Sequence, residues 1–205
     1  MKISAVCFDL GNVLIRVDYD RMWDSIAKKS KLPKEEIRRR FFDDPQAKAY
    51  ENGKLTSAKY FAHLKKLVEY KDTAKELRTA FAEIFEPMAD HIALAAMLSK
   101  HYPLAIISNT NDAHIVHAEA AYSFFPLFHA RIYSYQVKAM KPQPEIYRKA
   151  LQALGGIDPL ETLFIDDLEP NILGAVKLGW QTIHLRPGVD LREALYSYEL
   201  KGLDY

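Results

Sequence analysis

The sequence predicts an α/β fold, a doubly wound parallel sheet with a helical cap inserted after its first strand. Short apolar runs without polar alternation recur along the chain, as strands covered on both faces require. Helical patterns separate the later runs, and strand–helix alternation with right-handed crossovers gives such a sheet. Between the first two runs lies a long stretch, from about Asp18 to Pro87, with no strand pattern. It reads as helices alone.

Taken in order, residues 3–8 form the first strand, an apolar run that stops at Asp9. Residues 19–29 and 33–42 read as helices, and residues 43–54, with Asp-Asp-Pro and then Asn-Gly, as a loop. Thr56 caps a third helix whose apolar face is Tyr60, Phe61, Leu64, Leu67 and Val68. Asp72 is expected to cap a fourth, with Leu77, Phe81, Ile84 and Phe85 inward. A helix at 91–98 leads to a strand at 104–107, then a helix at 112–122 and a strand at 131–134. Pro144 opens the next helix and Gly155-Gly156 closes it. A strand at 162–165, a helix at 170–178 stopped by Gly179 and a strand at 182–185 complete the sheet. Residues 191–200 read as a short amphipathic helix. The expected division is a core of residues 1–16 and 88–205 with a cap of residues 17–87.

Composition narrows the function classes. A chain of 205 residues suits one domain, or a core with a modest insertion. At 49% hydrophobic and 27% charged it buries a core and is not a disordered chain. A net charge of +1 gives no electrostatic reason to expect nucleic acid or an anionic membrane as partner. The basic runs Lys28-Lys29 and Arg38-Arg39-Arg40 sit among acids and read as solvated helix faces. The single cysteine, Cys7, cannot form an internal disulfide, and inside an apolar run it reads as a small buried hydrophobe. No apolar segment approaches membrane-spanning length, and residues 3–8 are too short for a signal-peptide core. The expected location is the cytoplasm. His114 and His117 are three apart but lack the further ligands of a metal site.

In open α/β sheets, ligands bind beyond the carboxyl ends of the strands. Asp9 follows the first strand, in Phe8-Asp9-Leu10-Gly11-Asn12-Val13. Ser108-Asn109-Thr110-Asn111 follows the second, and Asp166-Asp167, with Asn171 and Gly174 beyond, follows the fourth. Lys141 precedes the Pro144 helix. Their chemistry is complementary. A carboxylate at a strand tip can attack phosphorus. Carboxylates crowded together call for a cation, and hard oxygen ligands suit Mg2+. A serine at a helix start holds phosphate oxygens, and a lysine adds a point charge.

These four segments resemble the four ordered motifs of the haloacid dehalogenase-like hydrolase superfamily, and the resemblance spans nearly the whole chain. It implies a Rossmann-like core, a Mg2+-dependent phosphatase and a small phosphorylated substrate. It implies Asp9 as nucleophile and metal ligand, with the Gly11 carbonyl a second ligand. Asp167 would be the direct acidic ligand, with Asp166 beside it or acting through water. Ser108, Asn109 and Lys141 would hold the phosphate. Most phosphatases of the family carry a second aspartate two residues after the nucleophile, as general acid and base. Here that position is Gly11, which cannot move a proton. The Asp-Leu-Gly-Asn-Val form, with Asp18-Tyr19-Asp20-Arg21, is similar to a subgroup that includes bacterial α-D-glucose-1-phosphate phosphatases. An anomeric leaving oxygen lessens the need for a strong acid.

Two other readings compete. A haloacid dehalogenase also lacks the second aspartate, but needs no metal and lacks paired acids in the fourth motif. A regulatory phosphate-binding protein would need no proton donor, yet Asp9, Lys141 and both late acids are all present. Substrate choice is expected in the cap, with Phe41, Phe42, Tyr50 and Glu51 as candidates near the 43–54 segment.

Overall fold

In the computed structural model, which describes residues 2–203, the chain opens with β1 (Ala5–Phe8), buried at every position. It leaves the sheet through β2 (Ile15–Val17) and returns through β3 (Phe85–Pro87), which pair antiparallel with Arg16 opposite Glu86. Between them lie α1 (Tyr19–Ala27), α2 (Lys34–Phe42), α3 (Pro45–Glu51), α4 (Ser57–Leu67) and α5 (Ala74–Ala82). Then come α6 (Ala89–Leu98), β4 (Leu104–Ser108), α7 (Asp112–Ala121), β5 (Ala130–Tyr133), α8 (Ser134–Val137) and α9 (Pro144–Ala153). The chain ends with β6 (Thr162–Asp166), α10 (Glu169–Val176), β7 (Gln181–His184) and α11 (Leu191–Tyr196).

The sheet order is β5-β4-β1-β6-β7, with every neighbouring pair parallel. The strand that ends at Asp9 is therefore central. Side chains alternate along β1: Val6 and Phe8 join one core, Ala5 and Cys7 the other. Both faces are covered, which is why these strands carry no polar alternation. Cys7 is completely buried and its thiol is pushed up by desolvation, so it packs and does not react.

Local chemistry sets the helix starts. Asp18 accepts from the Arg21 N–H at 3.0 Å, and Thr73 and Glu76 form a reciprocal capping box. Thr73, not Asp72, is thus the cap of α5. Asp72 instead pairs with Lys29 at 2.6 Å. The 43–54 segment is not a plain loop. Asp44 accepts from the Gln46 N–H at 3.0 Å and Pro45 occupies the first turn, so α3 forms inside it. The stretch read as purely helical ends in β3, because Phe85 and Pro87 pair with Val17 and Ile15.

The five helices pack on one another through stacked and edge-on rings, among them Tyr50–Tyr60 at 4.3 Å and Trp23–Phe41 at 4.8 Å. Side chains tie the block to the sheet layer. The Asp112 carboxylate, in the first turn of α7, accepts from Tyr50 and Ser57 hydroxyls and from Arg78 at 3.3 Å. The Ser134 hydroxyl donates to the Glu51 carbonyl at 2.7 Å and accepts from the Thr110 N–H at 2.9 Å.

Candidate active site

β1, β4 and β6 are neighbours, so their carboxyl ends place Asp9, Ser108 and Asp166-Asp167 on one rim. Above them opens a cleft of about 300 Å³ lined by Asp9, Gly11, Ser108, Asn109, Lys141, Asp167 and, from α3, Glu51. Carboxylate oxygens of Asp9, Asp166 and Asp167 lie within 4.8 Å of one another.

Lys141 joins this floor through its ammonium. Its Nζ lies 2.8 Å from Asp9 Oδ1 and 2.6 Å from Asp166 Oδ2, with the side chain almost wholly buried. Burial alone would push the ammonium down, but Asp9 and Asp166 more than offset it, so the lysine stays charged. Asp9 also accepts from the Leu10 N–H at 2.6 Å through Oδ1, and its second oxygen has no hydrogen-bond partner among the described residues. Burial pushes the Asp9 carboxyl up to about 7; Lys141 pulls it down and Asp166 pushes it up further.

The two late acids differ. Asp166 is fully buried, and its oxygens accept from Lys141, from the Leu168 N–H at 2.8 Å and from Asn171 Nδ2 at 3.0 Å and 3.1 Å. Its carboxylate is occupied by the protein, holding Lys141 in place. Asp167 accepts from Asn12 Nδ2 at 3.2 Å, and its carboxyl is raised, first by desolvation. Asn12 sits at φ 54°, a left-handed conformation that asparagine tolerates, and its amide oxygen also accepts from Val17 at 3.2 Å. That link between the late acids and the exit from β1 is absent from any reading of spacing.

The donor set fits a hard divalent cation. Three carboxyl groups converge on one ammonium in a largely buried site, and burial pushes Asp9 and Asp167 up, a crowding that a bound cation would relieve. Asp9, Asp167 and the neighbouring Gly11 backbone would hold it.

Ser108 lies at the tip of β4, nearly buried, and its hydroxyl has no protein partner among the described residues. It is available to a ligand oxygen. Asn109 also lines the cleft, and its side-chain amide pairs in both directions with the Lys141 backbone, at 2.9 Å and 2.7 Å, so it fixes the lysine loop. Of the cap candidates, only Glu51 reaches the cleft. Tyr50 is buried and turned onto Asp112, and Phe42 lies outside the cleft at 64% exposure. Phe41 packs between Trp23 and Phe81.

The haloacid dehalogenase-like hydrolase profile matches residues 3–179. The chain is 28% identical to the D-ribitol-5-phosphate phosphatase of Bacteroides thetaiotaomicron, over 94% of this chain and 97% of that one. A HAD family enzyme of the same organism, solved in complex with magnesium and inorganic phosphate, superposes with a TM-score of 0.83. It is 29% identical, over 94% of this chain and 98% of its own. The L-2-haloacid dehalogenase of Xanthobacter autotrophicus shares the fold, with a TM-score of 0.67 and 20% identity over 95% of this chain and 81% of its own. With three strand tips and the Lys141 loop converged on one rim and a profile that covers most of its length, the chain belongs to the haloacid dehalogenase-like hydrolases.

Proposed function

We propose that the protein is a Mg2+-dependent phosphatase that hydrolyses a small phosphorylated sugar or polyol, with Asp9 as nucleophile. The observation that carries this is the charge balance of the floor, where Asp9, Asp166 and Asp167 face the single ammonium of Lys141. A site so acidic repels a phosphate unless a divalent cation sits in it. When bound, the cation would neutralise the transferring phosphoryl group.

The chain's own residues do the rest. Lys141 and the Leu10 N–H hold Asp9 Oδ1, so that the other oxygen points to the reacting centre. That oxygen attacks phosphorus and forms an aspartyl-phosphate, which water then hydrolyses. Ser108 and Lys141 hold the phosphoryl oxygens. The helices of residues 17–87 act as a cap that excludes water and meets the leaving group. The phosphatase and magnesium-complex relatives support this reading over dehalogenation. A polyol 5-phosphate, the substrate named for one relative, is an ordinary primary ester. Gly11 instead favours an anomeric sugar phosphate, whose oxygen departs more easily.

The test is phosphate release from p-nitrophenyl phosphate. Activity is expected with Mg2+, to vanish with a chelator, and to fall at least about 10³-fold in Asp9→Asn. Activity that survives chelation, or survives Asp9→Asn, overturns the proposal.

A further inference from the structure

We propose that Glu51 is the proton shuttle of this reaction, protonating the leaving oxygen and then activating the hydrolytic water. The inference rests on the phosphatase reading above and assigns the one role that reading leaves open.

The need is explicit in the sequence, since Gly11 stands where an acid would act. A β-carbon on Gly11 would meet Val17 Cγ2 at 3.3 Å, a tight contact on the side where an acidic side chain would enter. Among the described residues lining the cleft, the other proton-bearing groups have work elsewhere. Asp9 is the nucleophile, Asp167 is placed for the cation, and Lys141 is held between Asp9 and Asp166. His114 is buried and stacked on Phe81, with one ring nitrogen against Asn111 at 3.2 Å and the other against the Phe81 carbonyl at 3.3 Å. Burial pushes it down to about 4, so it stays neutral and satisfied. The Tyr19 hydroxyl is pushed up by desolvation and then by the Glu51 and Asp167 carboxylates, so it keeps its proton.

Glu51 has the placement and the freedom. It ends α3, and the chain there is pinned to the sheet layer. Ser134 holds its carbonyl, and Gly53, at φ 65°, lies so close to the Tyr135 backbone that a β-carbon would come within 2.0 Å of its carbonyl oxygen. Ser134 also binds the Thr110 N–H, just beyond Ser108 and Asn109, so Glu51 is indexed to the phosphate-binding turn itself. Its carboxylate has no hydrogen-bond or ion-pair partner among the described residues, yet it is mostly buried. Lys48 on its own helix draws its titration down, and the Tyr60 hydroxyl on α4 and Tyr19 on α1 feel its charge, with Asp167 and Lys141 on the cleft floor. Burial outweighs Lys48 and pushes the carboxyl up to about 7, where a group both gives and takes a proton near neutral pH.

The step balances. The free Asp9 oxygen forms a bond to phosphorus as the bond from phosphorus to the leaving oxygen breaks. The Glu51 proton passes to that oxygen, so a neutral alcohol departs and Glu51 is left as carboxylate. Water then enters the vacated place, gives a proton to Glu51 and forms a bond to phosphorus. The bond from phosphorus to Asp9 breaks, inorganic phosphate leaves, and both carboxyl groups return to their starting states.

The test compares two substrates in one variant, so any loss of folded protein cancels. p-Nitrophenolate departs without a proton; the alkoxide of ribitol 5-phosphate does not. Glu51→Gln should raise the ratio of kcat/KM for p-nitrophenyl phosphate over ribitol 5-phosphate by about 10²–10⁴. Glu51→Asp should restore part of the lost turnover. The fall of wild-type kcat/KM for ribitol 5-phosphate above about pH 7, where the acid has lost its proton, should disappear in Glu51→Gln. An unchanged ratio in Glu51→Gln, with wild-type protein active on both substrates, overturns the assignment. Failure of wild-type protein to release phosphate from either substrate removes the phosphatase reading, and this assignment with it.

Discussion

At the residue scale, the site is governed by which charges have partners. Asp166 is buried with every oxygen occupied, and through Lys141 it fixes Asp9. Glu51 is the opposite case, a mostly buried carboxyl with no partner among the described residues, and its titration makes a prediction about stability. Its folded pKa, about 7, lies above the ordinary 4.5. Between those values the folded protein keeps a proton that the unfolded chain has released. This contribution is therefore full below about pH 4.5 and is lost as pH rises through 7. Glu51→Gln removes it, so the stability gap between variant and wild type should widen in favour of the variant from pH 4.5 to 7.5. The gap should reach at most about 3 kcal/mol. Urea unfolding at both pH values checks this, and a gap independent of pH would mean that Glu51 titrates as an ordinary surface acid.

At the element scale, long signals were legible and short ones were not. The sheet strands announced themselves because burial on both faces leaves a continuous apolar run, as in β1 and β4. β2 and β3 have three residues each, too few for any period to show, and they exist because the two crossings between sheet and helices pair with each other. α3 is seven residues long and hides between Asp-Asp-Pro and Asn-Gly; Asp44-Pro45 was its one visible sign, a cap followed by a first-turn proline. That short helix positions Glu51, and Gly53 is the hinge of the arrangement. Gly53→Ala cannot keep the present approach to Tyr135, so the turn must lift off the sheet layer. We predict a loss of at least about tenfold in kcat/KM for an alkyl phosphate ester, together with faster amide hydrogen exchange across residues 50–57. Unchanged turnover and exchange would show that the turn tolerates the methyl group without displacement.

At the scale of the whole molecule, the fold brings together groups that lie far apart in the chain. Asp9, Ser108 and Asp167 were readable because strand tips in such a sheet share one rim, and Lys141 because it precedes the Pro144 helix. Contact-dependent roles were not readable. The Asn109 amide braces the Lys141 backbone, Asn12 bridges to Asp167, and Asp112 gathers Tyr50, Ser57 and Arg78 from the helical block. Each depends on where a side chain turns after the chain has folded, which no spacing encodes. Phe42 and Tyr50 illustrate the same limit from the other side: an aromatic residue near a loop reads alike whether it faces the cleft, the core or water.

The account rests on the acidic floor being a cation site, and calorimetric titration of Mg2+ tests that directly. Wild-type protein should bind one Mg2+ per chain, and Asp167→Asn should weaken that binding by at least about tenfold. The absence of binding in the wild type, or equal binding in the variant, would contradict it.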